Sequence, residues 1–205
     1  MIHRTFENLS NSKREKILAA AKREFLNCSF EKSSINRILQ DADIPKGSFY
    51  QYFDRKEDLF YACIISVTEK LLKIRLEKNE TLLGAGLERI HTLGYEEGTN
   101  TYMEDVKEIL TQEDLDLYQR LIDSPANVRN YLMMEIASQQ IAPEIRKELE
   151  GSRLPEDTDI DYLAYLLSMS EVLAMDYGVR KNKDSIAMLE YSYIYMDALL
   201  KGIRK

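Results

Sequence analysis

Tryptophan is absent, and the 205 residues contain only four prolines and eight glycines. So few chain breakers leave little material for the turns of a sheet protein, and no run alternates apolar and polar residues long enough to make a strand. Histidine occurs twice, as His3 and His91, so acid–base catalysis would have to rest on carboxylates. No Ser/His/Asp or Cys/His arrangement, phosphate-binding glycine loop or metal-ligand spacing is visible. Neither an enzyme nor a cofactor or metal is expected. The two cysteines, Cys28 and Cys63, sit in helical patterns and read as free buried thiols in a reducing cytoplasm. The N-terminal residues show no apolar signal region. The most apolar stretch, residues 162–179, contains Glu171 and Asp176 and follows Asp157, Asp159 and Asp161, which argues against a membrane span. A cytoplasmic chain is expected.

What is present points to long helices: 44% of residues are apolar, and Leu, Ile, Ala, Lys and Glu are plentiful. The net charge of −7 is unevenly spread. Residues 1–56 hold 11 Lys/Arg against 7 Asp/Glu, a net of +4, and residues 57–205 hold 17 against 28, a net of −11. A basic head on an acidic body is the asymmetry expected when only the head meets phosphates. The fold class expected is all-α, with domains at 1–56 and 57–205.

Ser12 and Glu15 read as a capping box opening a helix over residues 12–26, with Ile17, Leu18, Ala21 and Phe25 at helical spacing. Ser33 and Ser34 begin a short second helix that turns Ile35, Ile38 and Leu39 inward and ends near Gln40. Residues 41–44 form a tight turn. Pro45 then starts a third short helix carrying Phe49 and Phe53 on one face. Asp54 and Glu57 read as a second capping box, opening a long helix with Phe60, Ile64, Val67, Leu71 and Ile74 inward. Gly84, Gly86, Gly94 and Gly98 leave residues 80–100 without a definite pattern. Further on, Thr111 is an expected N-cap before Leu115, Tyr118 and Ile122. Ser124 and Pro125 open a helix through Tyr131, Leu132, Met134 and Ile136, and the last two helices are expected over 158–179 and 184–203.

The two short helices joined by a four-residue turn are the informative unit. To enter a major groove, the second must be narrow and polar outside. Its outward residues are Lys46, Gly47, Ser48, Tyr50 and Gln51, with Phe49 and Phe53 as anchors. Three stretches carry a resemblance: residues 17–25 (Ile-Leu-Ala-Ala-Ala-Lys-Arg-Glu-Phe), 30–35 (Phe-Glu-Lys-Ser-Ser-Ile) and 45–59 (Pro-Lys-Gly-Ser-Phe-Tyr-Gln-Tyr-Phe-Asp-Arg-Lys-Glu-Asp-Leu). Together they resemble the DNA-binding domain of the tetracycline-repressor (TetR/AcrR) family over residues 12–65. The resemblance implies that Ser33 or Ser34, Tyr50, Tyr52 and Lys56 hold phosphates. It implies that Asn36, Lys46, Gly47, Ser48 and Gln51 contact bases or the groove. Three residues depart from the family pattern: Ser29 and Asp43 stand where glycine is frequent, and Leu39 where alanine is usual. Asp tolerates the left-handed conformation better than most residues, so the turn should survive.

Beyond residue 65 the resemblance fades. Ile186, Leu189, Tyr193, Met196, Leu200 and Ile203 form a seam spaced by threes and fours, and residues 162–179 are apolar nearly all round. A homodimer is expected through these helices, with Leu166, Leu173, Leu189, Tyr193, Met196 and Leu200 at the interface. A second stripe, Met188, Tyr191, Tyr195 and Leu199, lies on another face of the last helix. After Phe60 every aromatic is Tyr, eleven in all. Tyr has a flat face and one polar tip, suited to a partly polar small molecule. Tyr95, Tyr102, Met103, Tyr118, Tyr131, Met134 and Tyr165 are the pocket candidates. The expected partners are operator double-stranded DNA, a second copy and a small-molecule effector, making the chain a repressor released from its operator by ligand. Two alternatives are a DNA-binding assembly protein without a ligand and a small helical enzyme with a vestigial helix-turn-helix.

Overall fold

The computed structural model describes residues 2–77, 104, 107–150, 154–183, 191, 194–196, 198–199 and 201–202. Among these, regular structure is helical apart from one antiparallel bridge between Ile2 and Phe53. The first helices are α1 (Arg4–Glu7), α2 (Asn11–Asn27) and α3 (Ile35–Asp41), then a 3-10 turn (Lys46–Ser48) running into α4 (Phe49–Tyr52). They are followed by α5 (Lys56–Glu77), α6 (Gln112–Ile122), α7 (Ala126–Ile136), a π turn (Ala137–Ile141), α8 (Ala142–Glu150) and α9 (Ile160–Arg180). The all-α expectation holds. No described helix is long and apolar enough to cross a membrane.

The chain divides into two compact units, Met1–Glu69 with Leu110–Arg129 and Lys70–Ile109 with Asn130–Lys205. The first therefore runs past residue 56, where the sequence suggested a boundary, and takes in α6.

Caps set the helix starts of the first unit. Ser34 caps α3, its Oγ accepting from Arg37 N, and Thr111 and Asp114 make a reciprocal capping box on α6. Two expected starts shift. Ser10 rather than Ser12 caps α2, because the short α1 ahead of it delivers the chain to Ser10, whose Oγ accepts from Lys13 N. At α5, Arg55 N–H donates to the Asp58 carboxylate at 3.1 Å, one residue beyond the expected Asp54–Glu57 pair, while Asp54 accepts from His3 Nε2 at 2.8 Å. On α6 the buried face is Asp114, Leu117 and Leu121, not Leu115, Tyr118 and Ile122, which are half-buried. Arg120 accounts for that rotation, since its guanidinium donates to Leu26 O at the C-terminus of α2 (2.8 Å), where a cation is favoured.

The core of this unit holds two aromatic clusters. Phe25, Phe30 and Phe60 pack together with ring centroids 4.5–6.0 Å apart. Phe6, Phe49, Tyr52 and Phe53 form the other, Phe6 lying 4.7 Å from Phe53. Burying each Phe contributes about 1.5–3 kcal/mol.

In the second unit, α8 and the π turn pack against α9. Asp159 caps α9, its carboxylate accepting from Tyr162 N at 2.9 Å. The helix buries Leu163, Ala164, Leu167 and Ala174, and it leaves Tyr162, Leu173 and Tyr177 exposed. It ends with Asn182 in the left-handed region (φ 51°), the Lys183 N–H returning to Gly178 O. Met196, expected at a subunit interface, is 2% exposed and packs within its own chain; Tyr195, the next residue round the helix, faces out.

Candidate nucleic-acid interface

The geometry of the interface starts with the turn between α3 and α4. Asp43 takes φ 56°, the left-handed conformation a glycine would adopt without cost. Around it, Asp43 N–H bonds Gln40 O (3.2 Å) and Ile44 N–H bonds Leu39 O (2.9 Å), with Leu39 and Ile44 both buried. This pair of bonds, closed over an apolar contact, is a Schellman ending. It sends the chain sharply into Pro45 and the recognition segment, Lys46–Tyr52.

Two ion pairs fix α3 on α2. Arg23 meets Asp41 at 2.8 Å. The Glu24 carboxylate accepts from Arg37 Nε (2.9 Å) and from Ser34 N–H (2.8 Å), so it sits at the positive end of α3. The Arg37 guanidinium holds the Glu24 carboxyl below the usual glutamate range, against the opposing effect of burial, and Ser34 N–H adds to the lowering.

The recognition segment divides cleanly. Phe49 and Phe53 are buried, while Lys46, Gly47, Tyr50 and Gln51 are exposed, Tyr50 to 70%. Ser48 is half-buried. A Cβ built on Gly47 would meet nothing within 4 Å, so this fold has no steric need of glycine there. On α3, Asn36 is exposed beside half-buried Ser34, whose Oγ accepts from Arg37 N and keeps its own proton to give.

Three expected phosphate contacts are placed otherwise. Ser33 is buried, and its single proton goes to Phe30 O at 2.6 Å. Tyr52, expected at the surface, is 6% exposed because Phe6 packs on its ring. Lys56 is half-buried under the α2–α3 loop: Nζ donates to Phe30 O (2.6 Å) and Ser33 O (3.1 Å) and lies 4.4 Å from the Phe30 ring centroid. Two of its three donors thus hold the loop that presents Ser34.

Residues 2–6, a stretch without a motif, clasp the end of the recognition segment. His3 N–H donates to Tyr52 O (2.9 Å), the Thr5 hydroxyl donates to Gln51 O, and the His3 ring lies between Gln51 O (3.3 Å) and Asp54 Oδ1 (2.8 Å). These groups satisfy carbonyls that a helix C-terminus otherwise leaves open. The one signal in the sequence was Phe6, a large apolar residue in a polar stretch.

Residues 17–63, which span α2, α3, the recognition segment and the start of α5, match the family model described as bacterial regulatory proteins, tetR family. The domain is of the tetR family. Residues 17–63 thus carry a DNA-binding helix-turn-helix of this family. No curated protein matches the chain. Among solved structures it is similar to a TetR family transcriptional regulator from Chloroflexus aurantiacus J-10-FL (20% identity, TM-score 0.41, covering 100% of this chain and 99% of that one). It is also similar to the regulatory protein TetR from Rhodobacter sphaeroides (20%, 0.40, 89% and 96%) and to a gamma-butyrolactone receptor described as ArpA-like (17%, 0.37, 93% and 97%). The tetR assignment rests on residues 17–63.

Of the effector-pocket candidates, Tyr118 and Tyr131 are half-buried, whereas Met134 and Tyr165 are exposed. Tyr95, Tyr102 and Met103 lie outside the described residues. Of the interface candidates, Leu173 is exposed and Leu166 half-buried, and Leu189, Tyr193 and Leu200 lie outside the described residues.

Proposed function

We propose that this chain is a cytoplasmic operator-binding repressor that acts as a homodimer and is released from DNA by a small-molecule effector. In this reading residues 1–56 bind DNA, and residues 57–205 dimerise and hold the effector. The observation that carries it is the divided recognition segment: Lys46, Gly47, Tyr50 and Gln51 lie outward over a Phe49/Phe53 anchor. Lys46 offers a charge to phosphate or guanine, Gln51 an amide to a base edge, and Tyr50 a hydroxyl to the groove wall. Gly47 supports the reading from another side, since a glycine not required by the protein suits close approach to another backbone. Ser34 serves phosphate better than Ser33, because its proton is not spent within the domain. The exposed apolar face of α9 supports a second copy as partner. Effector binding would favour one spacing of the two recognition helices, and the operator would fit the other.

Titration of selected operator DNA at several salt concentrations tests the DNA half; binding without sequence preference or without a salt slope refutes it. Tyr50→Phe should weaken binding to all sequences, Gln51→Ala should change which base is preferred, and Gly47→Ala should lower affinity about tenfold (about 1.4 kcal/mol) with no change in melting temperature. The effector half is tested by screening small molecules for operator release. If none releases the DNA, the chain is a DNA-binding assembly protein instead.

A further inference from the structure

Half of the head's net charge lies ahead of the family match, which begins at residue 17. Residues 1–16 carry Arg4, Lys13, Arg14 and Lys16 against Glu7 and Glu15, a net of +2 within the +4 of residues 1–56. Several cations of the head are engaged inside it: Arg23 with Asp41, Arg37 with Glu24, Lys56 with two carbonyls. Arg14 is occupied too. It donates to Glu7 O (3.4 Å) and to Asn11 Oδ1 (3.0 Å), and so ties the end of α1 to α2. Arg4 differs from all of these. It is exposed, and among the described residues its guanidinium has no hydrogen bond or ion pair, not even with Glu7 one turn along α1.

An unpaired surface arginine is common; a rigidly mounted one beside a recognition segment is not. His3 and Thr5, the residues on either side, bond the Tyr52 and Gln51 carbonyls. Phe6 is 4% exposed, with its ring 4.7 Å from that of Phe53. The clasp thus fixes the Arg4 backbone at the C-terminal end of the recognition segment. Lys13 stands at the same end, exposed and without an ion pair, its Nζ 6.0 Å from the Tyr52 ring centroid. The acid at that end, Asp54, already accepts from His3 Nε2, a bond that holds its carboxyl below the usual aspartate range. Lys46 stands at the other end. From Lys46 to Tyr52 the segment runs about 10 Å, against about 12 Å for the width of a major groove. A segment of that length seated in the groove brings its ends near the phosphates of the groove walls. We propose that Arg4 and Lys13 form a second phosphate site, held by the clasp, so that operator DNA is gripped at both ends of the segment. The inference rests on the operator-binding reading and extends it to residues ahead of the family match. The guanidinium fork of Arg4 suits two phosphate oxygens at once. His3, Thr5 and Phe6 are positioning residues and need not touch DNA.

Titration of the full chain with an operator selected from a random-sequence duplex pool tests the site. Arg4→Gln should lower affinity about tenfold. The loss should be the same for operators altered at the bases Gln51 selects, because a phosphate carries no sequence. The slope of log affinity against log salt should shrink by about 0.9, the value of one phosphate. The melting temperature should not change, since the guanidinium has no partner in the fold. Lys13→Gln should remove a second increment of slope, and Glu7→Gln should raise affinity about threefold. Thr5→Val, which deletes the bond to Gln51 O, should weaken binding in the wild-type background and have no further effect beside Arg4→Gln. Ethylation interference should show phosphates that matter to the wild type but not to Arg4→Gln, flanking the bases Gln51 selects. An unchanged salt slope in both Arg4→Gln and Lys13→Gln overturns the site, and a loss that depends on the flanking bases overturns its assignment to phosphate. Equal losses from Thr5→Val in both backgrounds overturn the role of the clasp. A wild-type chain without sequence-preferring, salt-dependent binding overturns the operator reading itself.

Discussion

The recognition segment and α9 each expose part of one face, and the two faces have opposite chemistry. Lys46, Gly47, Tyr50 and Gln51 offer a charge, bare backbone, a hydroxyl and an amide, groups that suit a wet, charged surface. On α9, Tyr162, Leu166, Leu173 and Tyr177 offer rings and branched alkyl groups, which suit a protein surface. Similar exposure thus means different partners, and the residue types separate them where the degree of exposure cannot. Neighbouring substitutions should show the contrast.

The largest effect is expected within the recognition segment. Phe49→Ala should cost about 3–5 kcal/mol in urea unfolding, because it empties a buried site in the Phe6 cluster. Tyr50→Ala, next to it, should change stability by less than about 0.5 kcal/mol while weakening operator binding. Equal destabilisation by both would break the assignment of faces. On α9 the contrast concerns assembly. Leu173→Asp, at a position 69% exposed, should raise the dimer dissociation constant at least about a hundredfold (about 2.7 kcal/mol) with the helical circular-dichroism signal retained, whereas Leu167→Asp, in the core, should lose that signal. A Leu173→Asp protein as dimeric as wild type in the ultracentrifuge would show that this face is not the interface.

A smaller effect sharpens the comparison by asking what holds the reading face in place. Glu24→Gln should cost about 1–2 kcal/mol at neutral pH, the value of hydrogen bonds to a charged group. Its pH dependence has a definite sign. The Glu24 carboxyl is lowered in the folded chain by Arg37, so its stabilisation is present above the ordinary glutamate range and is lost as pH falls through the lowered folded value. The gap between wild type and variant in unfolding titrations should close below about pH 4; a gap that widened with acid would contradict the bond. The smallest effect is at the turn. Asp43→Gly should stabilise by up to about 1 kcal/mol in thermal melts by relieving the left-handed strain.

How far the sequence could be read follows from the range of each interaction. Ser34 and Thr111 act on groups three residues away, and each caps the helix expected of it. Asp43 likewise needed only its own backbone and the two hydrogen bonds beside it. The shifts at Ser10 and Arg55 have longer-range causes, the turn leaving α1 and the His3–Asp54 bond across 51 residues. The burial of Tyr52 depends on Phe6, the anchoring of Lys56 on Phe30 and Ser33, and the rotation of α6 on a carbonyl of α2. Helical periodicity shows that a face exists but not which neighbour covers it, and so Met196 and Tyr195 could not be told apart.

The clasp of residues 2–6 on the recognition segment also bears on the chain's synthesis. Ile2, His3 and Thr5 are made before their partners Gln51, Tyr52, Phe53 and Asp54, which follow about 50 residues later. At ordinary translation rates that is a wait of roughly 2.5–10 s, during which Phe6 has nothing to dock on and α2 can already form. The clasp therefore cannot close until Asp54 has been made, however early α2 forms.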